Sequence, residues 1–160
     1  EYVLILDNVV ADGEHEIQWN AVSKKAHFTD PEADRAAFEA ENGARLAYQI
    51  KANRPLKAAI DYTKLFSSKG NARMQQTRFF QTCGDIRFAC LLNPWKVDGL
   101  AMSFEPTDDG ATIEVTGQGF NDTWRWSVAP DLHTPSSLAC TRDGETRITL
   151  EKTDVAPRGE

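Results

Sequence analysis

Apolar and polar side chains alternate along most of this chain, in short runs punctuated by turn-forming residues. Such runs fall at 2–7, 14–22, 44–52, 57–63, 77–82, 86–92, 99–105, 111–116, 123–128, 137–142 and 145–150. Asp12-Gly13, Asn53-Arg54-Pro55, Gly84-Asp85, Asp109-Gly110 and Asp143-Gly144 separate several of them. Many short strands at this spacing predict an all-β fold, an antiparallel β-sandwich forming a single domain over 1–160. The apolar run Tyr2–Leu6, then Asp7, Asp12-Gly13 and the alternating stretch with Ile17 and Trp19, predicts an opening β-hairpin. SLACTR, Asp143-Gly144 and ETRITL predict a closing hairpin with type I′ turn chemistry. A third spans Met102 to Val115 and turns on Thr107-Asp108-Asp109-Gly110. Gly84-Asp85 reads as a fourth, placing Thr82 opposite Ile86 and Arg78 opposite Cys90.

Two segments break the pattern. Thr29 or Asp30 can cap a helix, Pro31 suits its first position, and Glu32 and Asp34 favour its first turn. Ala33, Ala36, Ala37, Phe38 and Ala40 then recur at helical spacing and Gly43 supplies a stop, so one short helix is expected over 31–41. The stretch 64–78 is the least strand-like, and Ser67-Ser68-Lys69-Gly70-Asn71 has flexible-loop composition. A long loop there would serve as a contact surface or lid. The polar segment after Leu150 reads as a fraying tail. The chain opens inside an apolar strand with no initiator Met, which reads as a piece of a longer polypeptide.

Composition adds limits. Apolar residues make up 41% and charged residues 26%, ordinary values for a globular domain. No apolar run approaches the roughly 20 residues that span a bilayer, so no membrane partner is expected. Net charge is −6, yet residues 51–78 hold 7 bases against the single acid Asp61. An acidic chain with one basic segment is a poor nucleic-acid binder. That segment, with Lys64, Lys69 and Arg73, reads either as solvated surface or as a contact for an anionic polymer. The three cysteines include no CxxC, which disfavours zinc, and Cys90 and Cys140 read as small buried hydrophobes.

Candidate chemistry is sparse. His15, His27 and His133 lie far apart, and at period two Glu14 and Glu16 point away from His15. Gly117-Gln118-Gly119 has no helix after it, so it is no nucleotide loop. Trp124 and Trp126 flank Arg125 and face one side of a strand, about 7 Å apart. They are either core anchors of the sandwich or a stacking pair for a pyranose, and on the second reading the chain is a free-standing carbohydrate-binding module.

YVLILDNVVADGEHEIQW, LKAAIDYTKLFSS, TRFF and FACLLNP together resemble the carboxy-terminal β region of the heparinase II/III-like polysaccharide lyases and their alginate-lyase relatives. The similarity runs over residues 2–95 and thins to a strand pattern afterwards. It implies a secreted bacterial enzyme, periplasmic or extracellular, in which an α/α toroid of the same polypeptide joins β-sheet layers. Acidic polysaccharide, a glycosaminoglycan or alginate, would be cleaved by β-elimination in the cleft between them. The catalytic tyrosine, histidine and asparagine of that family match no position here, so the resemblance implies a non-catalytic domain, itself without a cofactor, that braces the cleft. Trp124, Trp126, Lys64, Lys69 and Arg73 are the expected carbohydrate contacts. Some relatives hold a structural divalent metal with an acid like Asp7 and a histidine after the tryptophan; here Asn20-Ala21-Val22-Ser23 follows Trp19, which leaves Asp7 either a ligand or a turn former.

Overall fold

The computed structural model describes residues 2–32, 34–67, 70–129 and 136–150, with backbone alone for those between 63 and 73. The described residues form two antiparallel sheets, so the chain is an all-β sandwich. The first sheet contains β1 (Val3–Ser23), β2 (Ala26–Phe28), β3 (Arg35–Ala40), β4 (Arg45–Ala52), β5 (Lys57–Ser67) and β6 (Gly70–Asn93). Its order is β1-β6-β4-β3-β2, with β5 beside the first part of β6. The second is a meander of β7 (Ala101–Pro106), β8 (Gly110–Gly117), β9 (Phe120–Ser127), β10 (Ser137–Arg142) and β11 (Glu145–Leu150).

β1 and β6 are 21 and 24 residues long and pair along nearly their whole length. The expected opening hairpin and the hairpin at Gly84-Asp85 are therefore both absent. Asp12-Gly13 and Gly84 face each other as an irregularity in one continuous ladder, where pairing steps from Val10↔Asp85 to His15↔Cys83. A Cβ on Gly84 would lie 3.2 Å from the Gly13 carbonyl, so a side chain there would crowd the opposing backbone. Bulges of this kind bend a strand without ending it. Cys90 lies opposite Ile5 and Ile50, and Arg78 opposite Asn20 and Ala59. Arg87 secures the bend by donating to the carbonyls of Thr107, Asp108 and Gly110 at 3.0 to 3.2 Å, which ties it to the β7–β8 turn.

Burial changes character across the bend. Before it, Thr77, Phe79 and Cys83 of β6 face the core, at odd positions; after it, Ile86, Phe88 and Cys90 do, at even ones. These residues join Ile17, Phe28, Tyr48 and Ile50 in a core inside the first sheet. The sheet coils so that β2 returns onto β1 and β6: Phe28 N donates to Gln75 Oε1 at 2.8 Å, and the Phe28 ring meets Tyr48 edge-on. Past the bend, the opposite face carries Ala89, Leu91, Leu4 and Leu6 into a second core with Met102, Ile113, Val115 and Trp126. The ladder from Leu4↔Leu91 to Leu6↔Ala89 is thus covered on both sides. Its sequences YVLIL and FACLL are accordingly almost continuously apolar.

The expected helix is a strand pair instead. β3 pairs with β2 and β4, and Asn42-Gly43 closes the β3–β4 hairpin, with Ala40 N donating to Ala44 O at 2.8 Å. Thr29, read as a cap, extends the ladder by donating its N–H to Ala37 O at 2.7 Å. Alanines favour a helix only weakly, and closing the first core outweighs that preference. Most of the expected loop at 64–78 also lies in the strands β5 and β6. The Met102–Val115 and 137–150 hairpins form as expected, with Met102 paired to Val115. All three cysteines are free and buried, and burial pushes the Cys90 thiol up to about 12.

Candidate functional site

The residues singled out in the sequence do not converge. Trp126 is 6% exposed and packs against Ala111 and Ile113 in the second core, so it anchors the sandwich and offers no ring to a sugar. Trp124 also faces inward, half-buried, and donates its indole N–H to the Tyr2 hydroxyl at 2.6 Å. Lys64 and Arg73 are paired by the β5–β6 register; their side chains, like Lys69 and His133 as a whole, lie outside the described residues. The basic run around them is partly neutralised by acids distant in sequence: Lys51 pairs with Asp34, Arg54 with Asp85, and Arg78 with Asp61 and Glu16. Asp7 is exposed in mid-strand opposite Phe88, and is no turn former. Among the described residues no group of His, Cys, Asp or Glu is assembled for a metal ion, so Asp7 has no partner ligands there for the divalent ion considered in the sequence. His15 is exposed at the bulge, its Nε2 3.0 Å from the Asp12 carbonyl.

A different set does converge, at the open edge of the sandwich between the start of β1 and strands β9 to β11. There a cleft of about 790 Å³ is lined by residues including Tyr2, Trp95, Asp122, Trp124, Arg142 and Arg147. Period two on β9 puts Asp122 in phase with Trp124 and Trp126, so a carboxylate enters an otherwise apolar face. Register places Arg142 of β10 directly opposite it. Asp122, 2% exposed, accepts from Arg142 Nε and Nη2 at 2.6 and 2.7 Å and from the Tyr2 hydroxyl at 2.7 Å. The Arg142 guanidinium also lies over the Phe120 ring, 4.7 Å from its centroid. This is a buried carboxylate satisfied by charge-assisted bonds.

Arg147 reaches the cleft by a register shift. Cys140 pairs with Ile148, but Thr141 pairs with Thr146, so Arg147 is an extra residue without a partner across the ladder. Neighbouring strand residues ordinarily point to opposite faces; the bulge lets both Arg147 and Ile148 line the cleft. Arg147 is 54% exposed, and its ion pair with Glu145 at 3.3 Å is a weak surface contact. Trp95, in the loop after β6, is 57% exposed at the cleft wall.

The electrostatics suit holding over proton transfer. The Arg142 bonds keep the Asp122 carboxyl below the usual carboxylate range, against the opposing effect of burial. Burial, then the hydrogen bond to Asp122, pushes the Tyr2 phenol well above its ordinary value. Asp122 thus stays ionised and Tyr2 neutral through the physiological range. The sequence did carry one signal of this site, a charged residue in phase with two tryptophans on an inward face; the Arg147 bulge left none.

Comparison of the chain with protein-family models, curated proteins and solved structures finds no match.

Proposed function

We propose that this chain is the non-catalytic carboxy-terminal β-sandwich domain of a heparinase II/III-like polysaccharide lyase. The intact enzyme would be periplasmic or extracellular and would cleave uronate-containing polysaccharide by β-elimination, with this domain bracing the cleft beside an α/α toroid of the same polypeptide. One observation carries the reading. The sequence segments that resemble the lyase family fall on adjacent strands: most of YVLILDNVVADGEHEIQW lies in β1, TRFF and most of FACLLNP in β6, and most of LKAAIDYTKLFSS in β5. Segments far apart in sequence thus build one surface, as the framework of a shared domain should. The cleft adds a second support, since its Asp122–Arg142 pair is held in a geometry suited to binding.

The purified chain should release no unsaturated uronate from glycosaminoglycan or alginate, followed by ultraviolet absorbance. Turnover above a buffer blank would overturn the assignment. An encoded reading frame with no helical region upstream of this segment would remove the toroid partner.

A further inference from the structure

We propose that the cleft between β1 and β9–β11 is a binding site for a uronosyl unit, with Trp95 as the stacking surface and Arg147 and Arg142 as the carboxylate and hydroxyl readers. This deepens the polysaccharide reading above and rests on it for the choice of an acidic sugar. The cavity, about 790 Å³, falls within the roughly 300–1,000 Å³ range of small-ligand sites, and its wall is apolar and aromatic with few polar groups.

Three features give it ligand chemistry. An indole 57% exposed at a concave wall offers a flat apolar face of the kind on which a pyranose stacks. Arg142 is held rigidly through Nε and Nη2 by Asp122, while its Nη1 has no hydrogen-bond partner among the described residues. An oriented guanidinium with donors to spare loses little entropy on binding an acceptor. Arg147 is brought to the same cleft by a bulge, and its surface partner Glu145 can be exchanged for a ligand carboxylate at small cost. Because the Asp122 charge is already matched by Arg142, and Glu145 holds Arg147 only through an exposed contact, Arg147 is the cation that a ligand carboxylate can engage, which favours a uronate over a neutral hexose.

The test is titration of the whole chain with tetragalacturonate, and with maltotetraose as the neutral control, read by tryptophan fluorescence and calorimetry. Saturable binding of the uronate, at least tenfold tighter than the neutral sugar, is expected. Trp95→Ala should abolish the binding heat, and Arg147→Gln should weaken uronate binding about tenfold, the loss of one charge-assisted hydrogen bond, without altering the response to maltotetraose. Both positions are exposed, so unchanged melting temperatures should show the variants folded. No uronate binding by the wild-type chain, equal affinity for both sugars, or full binding by Trp95→Ala would overturn the site. A failure here would leave the bracing role standing, because the lyase assay tests that role separately.

Discussion

The two halves of the long β1–β6 ladder are built from the same two strands and live in different environments. From Leu4↔Leu91 to Leu6↔Ala89 the ladder is packed on both faces, one against the core inside the first sheet and the other against the second sheet. Between His15↔Cys83 and Ser23↔Gln75 only the face bearing Ile17, Trp19 and Phe79 is packed. The other face there is a polar mosaic in which Arg78 binds Asp61, Glu16 and Gln18 and lies over Phe80, and Gln76 binds Asn20 at 2.7 Å. Pairing is alike in both halves. What differs is whether a second sheet lies across the outer face, and this decides which substitutions each half can bear.

The largest contrast should come from one substitution made in each half. Ala89→Lys puts an ammonium at a position 0% exposed against the second sheet, and should cost about 4 kcal/mol or more, enough to leave no cooperative urea transition. Thr82→Lys, on the exposed face of the same strand, should move the urea midpoint by about 0.5 kcal/mol or less. Equal effects would erase the distinction between the halves.

Asp122→Ala comes next. It strips Arg142 and Tyr2 of their shared acceptor where the second sheet meets β1, and should cost about 2–4 kcal/mol in urea unfolding. The pH dependence sharpens this. The Asp122 carboxyl titrates lower in the folded chain than in the unfolded one. Its contribution is therefore fully present above about pH 4, the unfolded value, and is lost as pH falls through the folded value. Melting temperature measured from pH 6 downward should fall less steeply in Asp122→Asn than in the wild type.

In the open half, Arg78→Ala should cost only about 1 kcal/mol, because its partners remain hydrated when it is removed. The smallest effect has the opposite sign. Thr77 Oγ1 and the Tyr48 hydroxyl are buried in the first core without a hydrogen-bond partner of good geometry among the described residues, and burial pushes the Tyr48 phenol up to about 12. Thr77→Val with Tyr48→Phe should leave stability unchanged or raise it by up to about 1 kcal/mol, since neither oxygen then lacks a partner. A loss above that amount would mean that the two hydroxyls bond each other.

Two Asp-Gly dipeptides show where reading the chain succeeded and where it misled. At Asp143-Gly144 both residues have positive φ, 50° and 86°, and a two-residue hairpin forms as expected. At Asp12-Gly13 only the glycine does, at 90°, and the strand bulges and continues. The dipeptide permits either geometry; the choice falls to what lies opposite, here Gly84 of β6, distant in the chain. The Ala-rich segment 35–40 was misleading for a related reason, since its helical spacing is also compatible with a strand once β2 and β4 flank it. At the cleft, Asp122 was legible as an acid in phase with core tryptophans, but its partners Tyr2 and Arg142 lie 120 and 20 residues away.

The sequence alone determined the class of fold and most strand positions, because alternation and apolar runs are local consequences of period two and of burial on one or both faces. It also determined the two hairpins of the second sheet that close within a few residues. Only the tertiary structure decided that β1 and β6 run unbroken through their glycines, that Trp126 is buried, and that Trp95, Arg142 and Arg147 share a cleft. Each of those outcomes depends on contacts between strands distant in the chain, and the free energy of such contacts is written in no single stretch of residues.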